Sequence, residues 1–110
     1  MLNWTINDDA VGWDDALGAL PGCNLYQSYD WSRYRGAMGW RVVRAIGRDN
    51  GQAIVAMAQM LVRRHLGASV IWIPGGPAGD CRLWAASLPK LLRDQFGLLT
   101  YCRLNILREY

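Results

Sequence analysis

The residues able to do chemistry are few and scattered. The apolar β-type run Val70-Ile-Trp-Ile73 ends in Pro74-Gly-Gly-Pro-Ala-Gly79 and then Asp80. Such a loop is either only a turn, or a place where something must come close to bare backbone. His65 has the right side chain for a general base, but Arg63 and Arg64 precede it and oppose its protonation. No Gly-x-Ser-x-Gly motif offers it a nucleophile, so it reads as a solvent-facing histidine. The pairs Asp8-Asp9 and Asp14-Asp15 sit where a helix starts and read as dipole-matching charge, not as an acid/base pair or a metal site. Cys23, Cys81 and Cys102 form an odd set without a CxxC pair, beside a single histidine. Those spacings exclude a disulfide framework and a zinc centre, and the thiols read as small apolar residues in a reducing compartment. No catalytic residue emerges from these types and spacings.

The bulk of the chain narrows the function classes. A length of 110 residues suits one domain, and 52% hydrophobic with 19% charged residues suits a packed core rather than disorder. The net charge is +3, with eleven of twelve basic residues arginine and none gathered into a stripe, which argues against a DNA binder. Six tryptophans against one phenylalanine read first as core material. The N-terminus has no basic segment leading into an apolar one, and no apolar run approaches the roughly 18 residues of a membrane helix. The expectation is a cytoplasmic protein with no membrane insertion.

The elements that must position these residues follow from periodicity. Asn3 to Asn7 reads as a strand, and Trp13, Leu17 and Leu20 as a helix stopped by Pro21-Gly22. Ser28 is an N-cap candidate for a second helix carrying Trp31, Tyr34 or Arg35, and Met38 on one side, ended by Gly39. Trp31 and Tyr34 read as core anchors. Trp40–Arg48, the turn Asp49-Asn50-Gly51 and Gln52–His65 predict a hairpin. Both faces of its second strand are mostly apolar, Ile54, Ala56, Ala58, Met60 and Val62 on one and Val55, Met57, Gln59 and Leu61 on the other, so helices should cover both. Ser69–Ile73 is a third strand of this meander. Asp80 caps a helix reaching Phe96 that Pro89 should kink or split, and Gly97 ends it. Tyr101–Leu107 alternates as a final strand. The order is β-α-α-β-β-β-α-β, an α/β (α+β) chain with a mixed, mostly antiparallel sheet flanked by helices.

That order resembles the first half of the GNAT-like acyltransferase fold, and three segments are more specific. "NLYQSYDWSRYRGAMGW" looks like the Gln-Ser-x-x-Trp-x-x-x-Lys motif and following Gly-Trp of Fem-type proteins. These are the aminoacyltransferases that build peptidoglycan cross-bridges, with their acetyltransferase-like relatives. "AQMLVRR" and "VIWIPGGPAG" look like the next two blocks, the second departing at Gly75, where the family commonly has arginine. The likeness runs from about Trp13 to Ile106.

The resemblance implies an N-terminal half-domain, residues 1–110, of an enzyme that transfers an acyl or aminoacyl group to an amine acceptor such as a cell-wall precursor. By position it makes Arg35, in place of the family lysine, and Trp31 substrate-binding, since arginine can pair with phosphate. It makes Gly75, Gly76, Ala78 and Gly79 a backbone site for the donor or its phosphates, at a helix start where Asp80 competes as an anion. Acyl-coenzyme A or aminoacyl-tRNA would be the donor, with no tightly bound cofactor and no metal. The part closing the acceptor side is absent from the resemblance, so the chain by itself is expected to lack turnover. The other reading is a non-catalytic half-domain whose open last-strand edge recruits a second copy.

Overall fold

The computed structural model describes residues 2–6, 12–21, 23, 25–97 and 100–105. Strand β1 (Asn3–Ile6) is followed by helix α1 (Trp13–Gly18), a 3-10 turn (Leu25–Gln27) and helix α2 (Tyr29–Ala37). Strands β2 (Arg41–Arg48), β3 (Ile54–His65), β4 (Ala68–Pro74) and the two-residue β5 (Ala78–Gly79) come next. Helices α3 (Cys81–Trp84) and α4 (Leu88–Phe96) lead to β6 (Thr100–Asn105). The sheet runs β1-β2-β3-β4-β6, antiparallel throughout except for the parallel β4·β6 pair, and β5 joins β3. This is the mixed, mostly antiparallel sheet expected from the element order and the GNAT-like resemblance.

Several local expectations are met for local reasons. Ser28 has extended backbone and its Oγ accepts from Trp31 N–H at 3.3 Å, so α2 starts where a hydroxyl can satisfy a free donor. Asp80 caps α3 in the same way, accepting from Arg82 N–H at 3.0 Å. Pro89 stands in the first turn of α4, which separates α4 from α3, because a proline lacks the N–H that an interior turn needs. The helix expected after Asp8-Asp9 is α1, with Gly12 at its N-cap, and those aspartates lie outside the described residues. Ile106 and Leu107 of the expected last strand also lie outside them.

The sheet is covered on both faces. On one, α3 and α4 bury Trp84, Leu88, Leu91 and Leu92 against Ala58, Met60, Val62 and Ile71. On the other, α1 buries Trp13 and Leu17 against Ile46 and Met57. Ile54 departs from the expected alternation and joins this second cluster. The register slips between Gly47 and Arg48, whose partners are Ala56 and Ile54, so Val55 is an extra residue and the side chains beyond it change face.

Two corrections concern turns and α2. The hairpin turn is longer than Asp49-Asn50-Gly51, because Asp49 Oδ1 accepts from both Gly51 N–H and Ala53 N–H and folds the chain back around its carboxylate. Trp31 and Tyr34 are not core anchors. Trp31 is half-buried, Tyr34 is 57% exposed, and the α2 residue buried against the sheet is Ser32. A hydroxyl rather than an apolar side chain faces the sheet because buried polar groups are waiting there for it.

Candidate functional site

Those polar groups form one connected set on the α1/α2 face. Arg44, 8% exposed, donates through Nε to Gln59 Oε1 at 3.1 Å and through a terminal nitrogen to Ser32 Oγ at 2.7 Å. Its guanidinium also lies 5.2 Å from the Tyr29 ring centre. Ser32 Oγ in turn donates to Tyr29 O at 2.6 Å. Gln59 Nε2 donates to Ser28 O at 2.7 Å. The first turn of α2 is thus hydrogen-bonded to the middle of β3, and Asp14 of α1 adds to this by accepting from Tyr29 N–H at 2.9 Å. Asp14 therefore does more than match its own helix dipole.

Beyond that set, α2 and the edge of the sheet border a cleft of about 430 Å³ lined by Tyr26, Trp31, Arg35, Trp72, Pro74, Gly75 and Arg103. The Arg35 guanidinium lies 4.9 Å from the Trp31 ring centre and 5.0 Å from that of Trp72. Trp31 meets Tyr26 edge-on at 4.9 Å, and Trp72 meets Trp40 at 5.9 Å. Arg63 lies over Trp40 at 4.1 Å, extending the row of rings and guanidiniums. Aromatic rings attract Arg35 without a carboxylate, and its terminal nitrogen beside Met38 Sδ stands on the exposed side. Among the described residues, Arg35 Nε and Trp31 Nε1 are buried donor atoms with no hydrogen-bond partner. The chemistry available here is capture of an anionic group beside a flat apolar one.

The structure brings Trp31, Arg35 and Gly75 together and leaves the other loop residues elsewhere. Gly76 N–H donates to Ile73 O at 3.4 Å, and Gly79 N–H to Pro21 O at 2.7 Å. Ala78 and Gly79 pair with Met57 and Ala56 of β3. The expected backbone site therefore does not run the length of the loop: Gly76, Ala78 and Gly79 direct their backbone into the chain, and Gly75 reaches the cleft. Gly79 is a glycine for another reason. Its φ is +110°, and a Cβ there would stand 2.3 Å from Val55 O. Asp80 is paired with Arg82, whose guanidinium, by hydrogen bonding first, holds the Asp80 carboxyl below its ordinary range.

Trp72, Tyr26 and Arg103 were missed from sequence. For Trp72 a signal existed: Ile71 and Ile73 are fully buried toward α4, so strand alternation turns Trp72 to the opposite face. Arg103 follows by register, since it neighbours Trp72 across the parallel β4·β6 pair. The six tryptophans divide their duties. Trp13 and Trp84 are core, Trp4 packs against it, and Trp31, Trp40 and Trp72 form the half-exposed row. The side chain of His65 lies outside the described part. Among the described residues no cluster of His, Cys, Asp and Glu could hold a metal ion, and no helix is long and apolar enough to cross a membrane.

An antiparallel meander, a helical crossover and a parallel return strand beside β4 define a GNAT-like fold. More narrowly, the fold is similar to that of part of FemX. A crystal structure of FemX matches 84% of this chain with a TM-score of 0.65 at 20% sequence identity. The chain spans 23% of the length of FemX. No protein-family model matches the sequence, and no curated protein matches it.

Proposed function

We propose that this chain is the substrate-holding portion of an N-acyltransferase or aminoacyltransferase, and that its cleft receives the phosphates of a nucleotide-linked cell-wall precursor bearing the acceptor amine. The observation that carries this reading is Arg35 in a FemX-like fold. Its guanidinium lies against Trp31 and Trp72 and lines the cleft. A guanidinium at the cleft can pair with phosphate, and Arg103 supplies a second cation from β6. Gly75 lines the same cleft. Acyl-coenzyme A or aminoacyl-tRNA serves as donor, and holding two substrates in reacting geometry supplies much of the rate in such a transfer. The general base lies outside the residues named here.

Thermal unfolding with UDP, a UDP-linked sugar peptide, coenzyme A and acetyl-coenzyme A tests this. A ligand held at 100 times its dissociation constant adds about 2.7 kcal/mol, a shift on the order of 10 °C for a chain this size. Stabilisation by the UDP compounds that disappears in Arg35→Met supports the reading, and no shift with any of the four removes it.

A second reading rests on β6, an edge strand among the described residues. Tyr101 is 66% exposed there, and Leu104 borders an apolar groove of about 330 Å³ between β6 and α4. In this reading the chain is a non-catalytic module whose two copies join sheets edge to edge. Sedimentation decides it: a dimer lost in Leu104→Lys supports the module, and a monomer at high concentration dismisses it.

A further inference from the structure

One edge of β3 is completed by a side chain. Residues Leu61 to His65 pair with β4, and Ala56 and Met57 pair with β5. Continuing the β4 register would set Gln59 opposite Pro74, a residue without an N–H to offer. Instead the chain arches away from β3 after Ile73 and returns at Ala78. The fully buried side chain of Gln27 fills the space beneath the arch. Its Oε1 accepts from Gln59 N–H at 2.7 Å, while Nε2 donates to Gln59 O at 3.2 Å and to Pro74 O at 2.8 Å. The amide thus imitates a strand residue toward β3 and bonds the arch with its remaining donor. Gly76 is the matching concession, since a Cβ there would stand 2.5 Å from Gln27 Cδ.

We propose that Gln27 is a positioning residue for the cleft: its amide props the Pro74–Gly75 wall at a fixed distance from the wall formed by Tyr26, Trp31 and Arg35. This rests on the reading of the cleft as a ligand site. The two walls are joined through Gln27 because it stands between Tyr26 and the α2 cap Ser28, while its side chain holds Pro74. Its main-chain oxygen is anchored independently, accepting from Trp13 Nε1 at 2.7 Å. Turning the amide out would leave Gln59 N–H, Gln59 O and Pro74 O without this partner and free the arch to settle toward β3.

The test uses Gln27→Leu, Gly76→Ala and Gln27→Glu, with UDP as probe and amide exchange followed by NMR. In Gln27→Leu and Gly76→Ala the Gln59 amide should exchange at least about tenfold faster, with the Leu61–His65 ladder still protected. The indole signals of Trp31 and Trp72 should move, and UDP should bind at least about tenfold more weakly. Gly76→Ala placed on Gln27→Ala should add less than about twofold, because the side chain it evicts is already gone. Should Gln27→Leu fail to fold, Gln27→Glu keeps the shape but turns donors into an acceptor. Ionised, it sets an acceptor against Gln59 O and Pro74 O; protonation, which burial favours, returns one of the two donors, so its Gln59 protection and UDP affinity, each compared with wild type at the same pH, should recover in part as the pH falls. Unchanged Gln59 exchange, or indole signals that stay in place in folded variants, overturns the prop. A wild type that ignores UDP while the exchange changes appear overturns the ligand reading and the positioning role with it, leaving only a spacer.

Discussion

Replacing Arg44 and Arg35 by methionine in turn separates two duties that composition cannot distinguish. Arg44 is buried, with hydrogen bonds of 3.1 Å to Gln59 and 2.7 Å to Ser32 and a ring contact with Tyr29. Hydrogen bonds from a charged donor contribute about 1.5–3 kcal/mol each, so Arg44→Met should cost about 3 kcal/mol or more even though methionine refills the stem's volume. At about 4–8 °C per kcal/mol this lowers Tm by on the order of 15 °C. Arg35 has ring contacts and one long contact to Met38 Sδ at 4.0 Å. Arg35→Met should therefore cost only about 1 kcal/mol, while weakening UDP binding by about 10- to 100-fold. Calorimetric unfolding and titration of the same samples read both quantities. If Arg35→Met lowers Tm as far as Arg44→Met, or if Arg44→Met is neutral, the separation into a structural and a ligand-facing arginine is mistaken.

Other substitutions and conditions bear on the same structure. Gly79→Ala forces a Cβ to 2.3 Å from Val55 O at a φ of +110° and should cost about 3 kcal/mol in denaturant unfolding. Gly18→Ala, with open space at the end of α1, should be neutral or stabilising by up to about 1 kcal/mol. Burial pushes the Cys102 thiol up to about 11, so at pH 8 only about a thousandth of it is thiolate. A thiol reagent should therefore label exposed Cys23 and Cys81 quickly and Cys102 slowly, with equal rates contradicting the burial of β6 against α4. Because Arg82 holds the Asp80 carboxyl below its ordinary 3.8, the cap's contribution is present above that value and is lost as the pH falls through the lower folded value. Wild type and Asp80→Asn should accordingly differ in stability at neutral pH and converge in acid, which pH-dependent unfolding measures.

What the sequence by itself determined was carried by near neighbours. The period-two pattern of β3 and β4, the caps Ser28 and Asp80, the break at Pro89 and the stop at Gly97 all act within a turn or two of the residue that causes them. The GNAT-like order followed from these. The cleft was legible only in part: Arg35 and Trp31 came from a motif and Gly75 from its loop, but nothing local announces that Trp72 and Arg103 complete it. Tertiary structure alone decided the buried polar set, the two-residue β5 and the prop at Gln27. Gln27 lies 32 residues from Gln59 and 47 from Pro74. In the sequence Gln27 opens the Gln-Ser-x-x-Trp motif, but nothing near it tells what its amide bonds. It becomes a strand substitute only when folding carries it beneath an arch where buried backbone groups must find a partner.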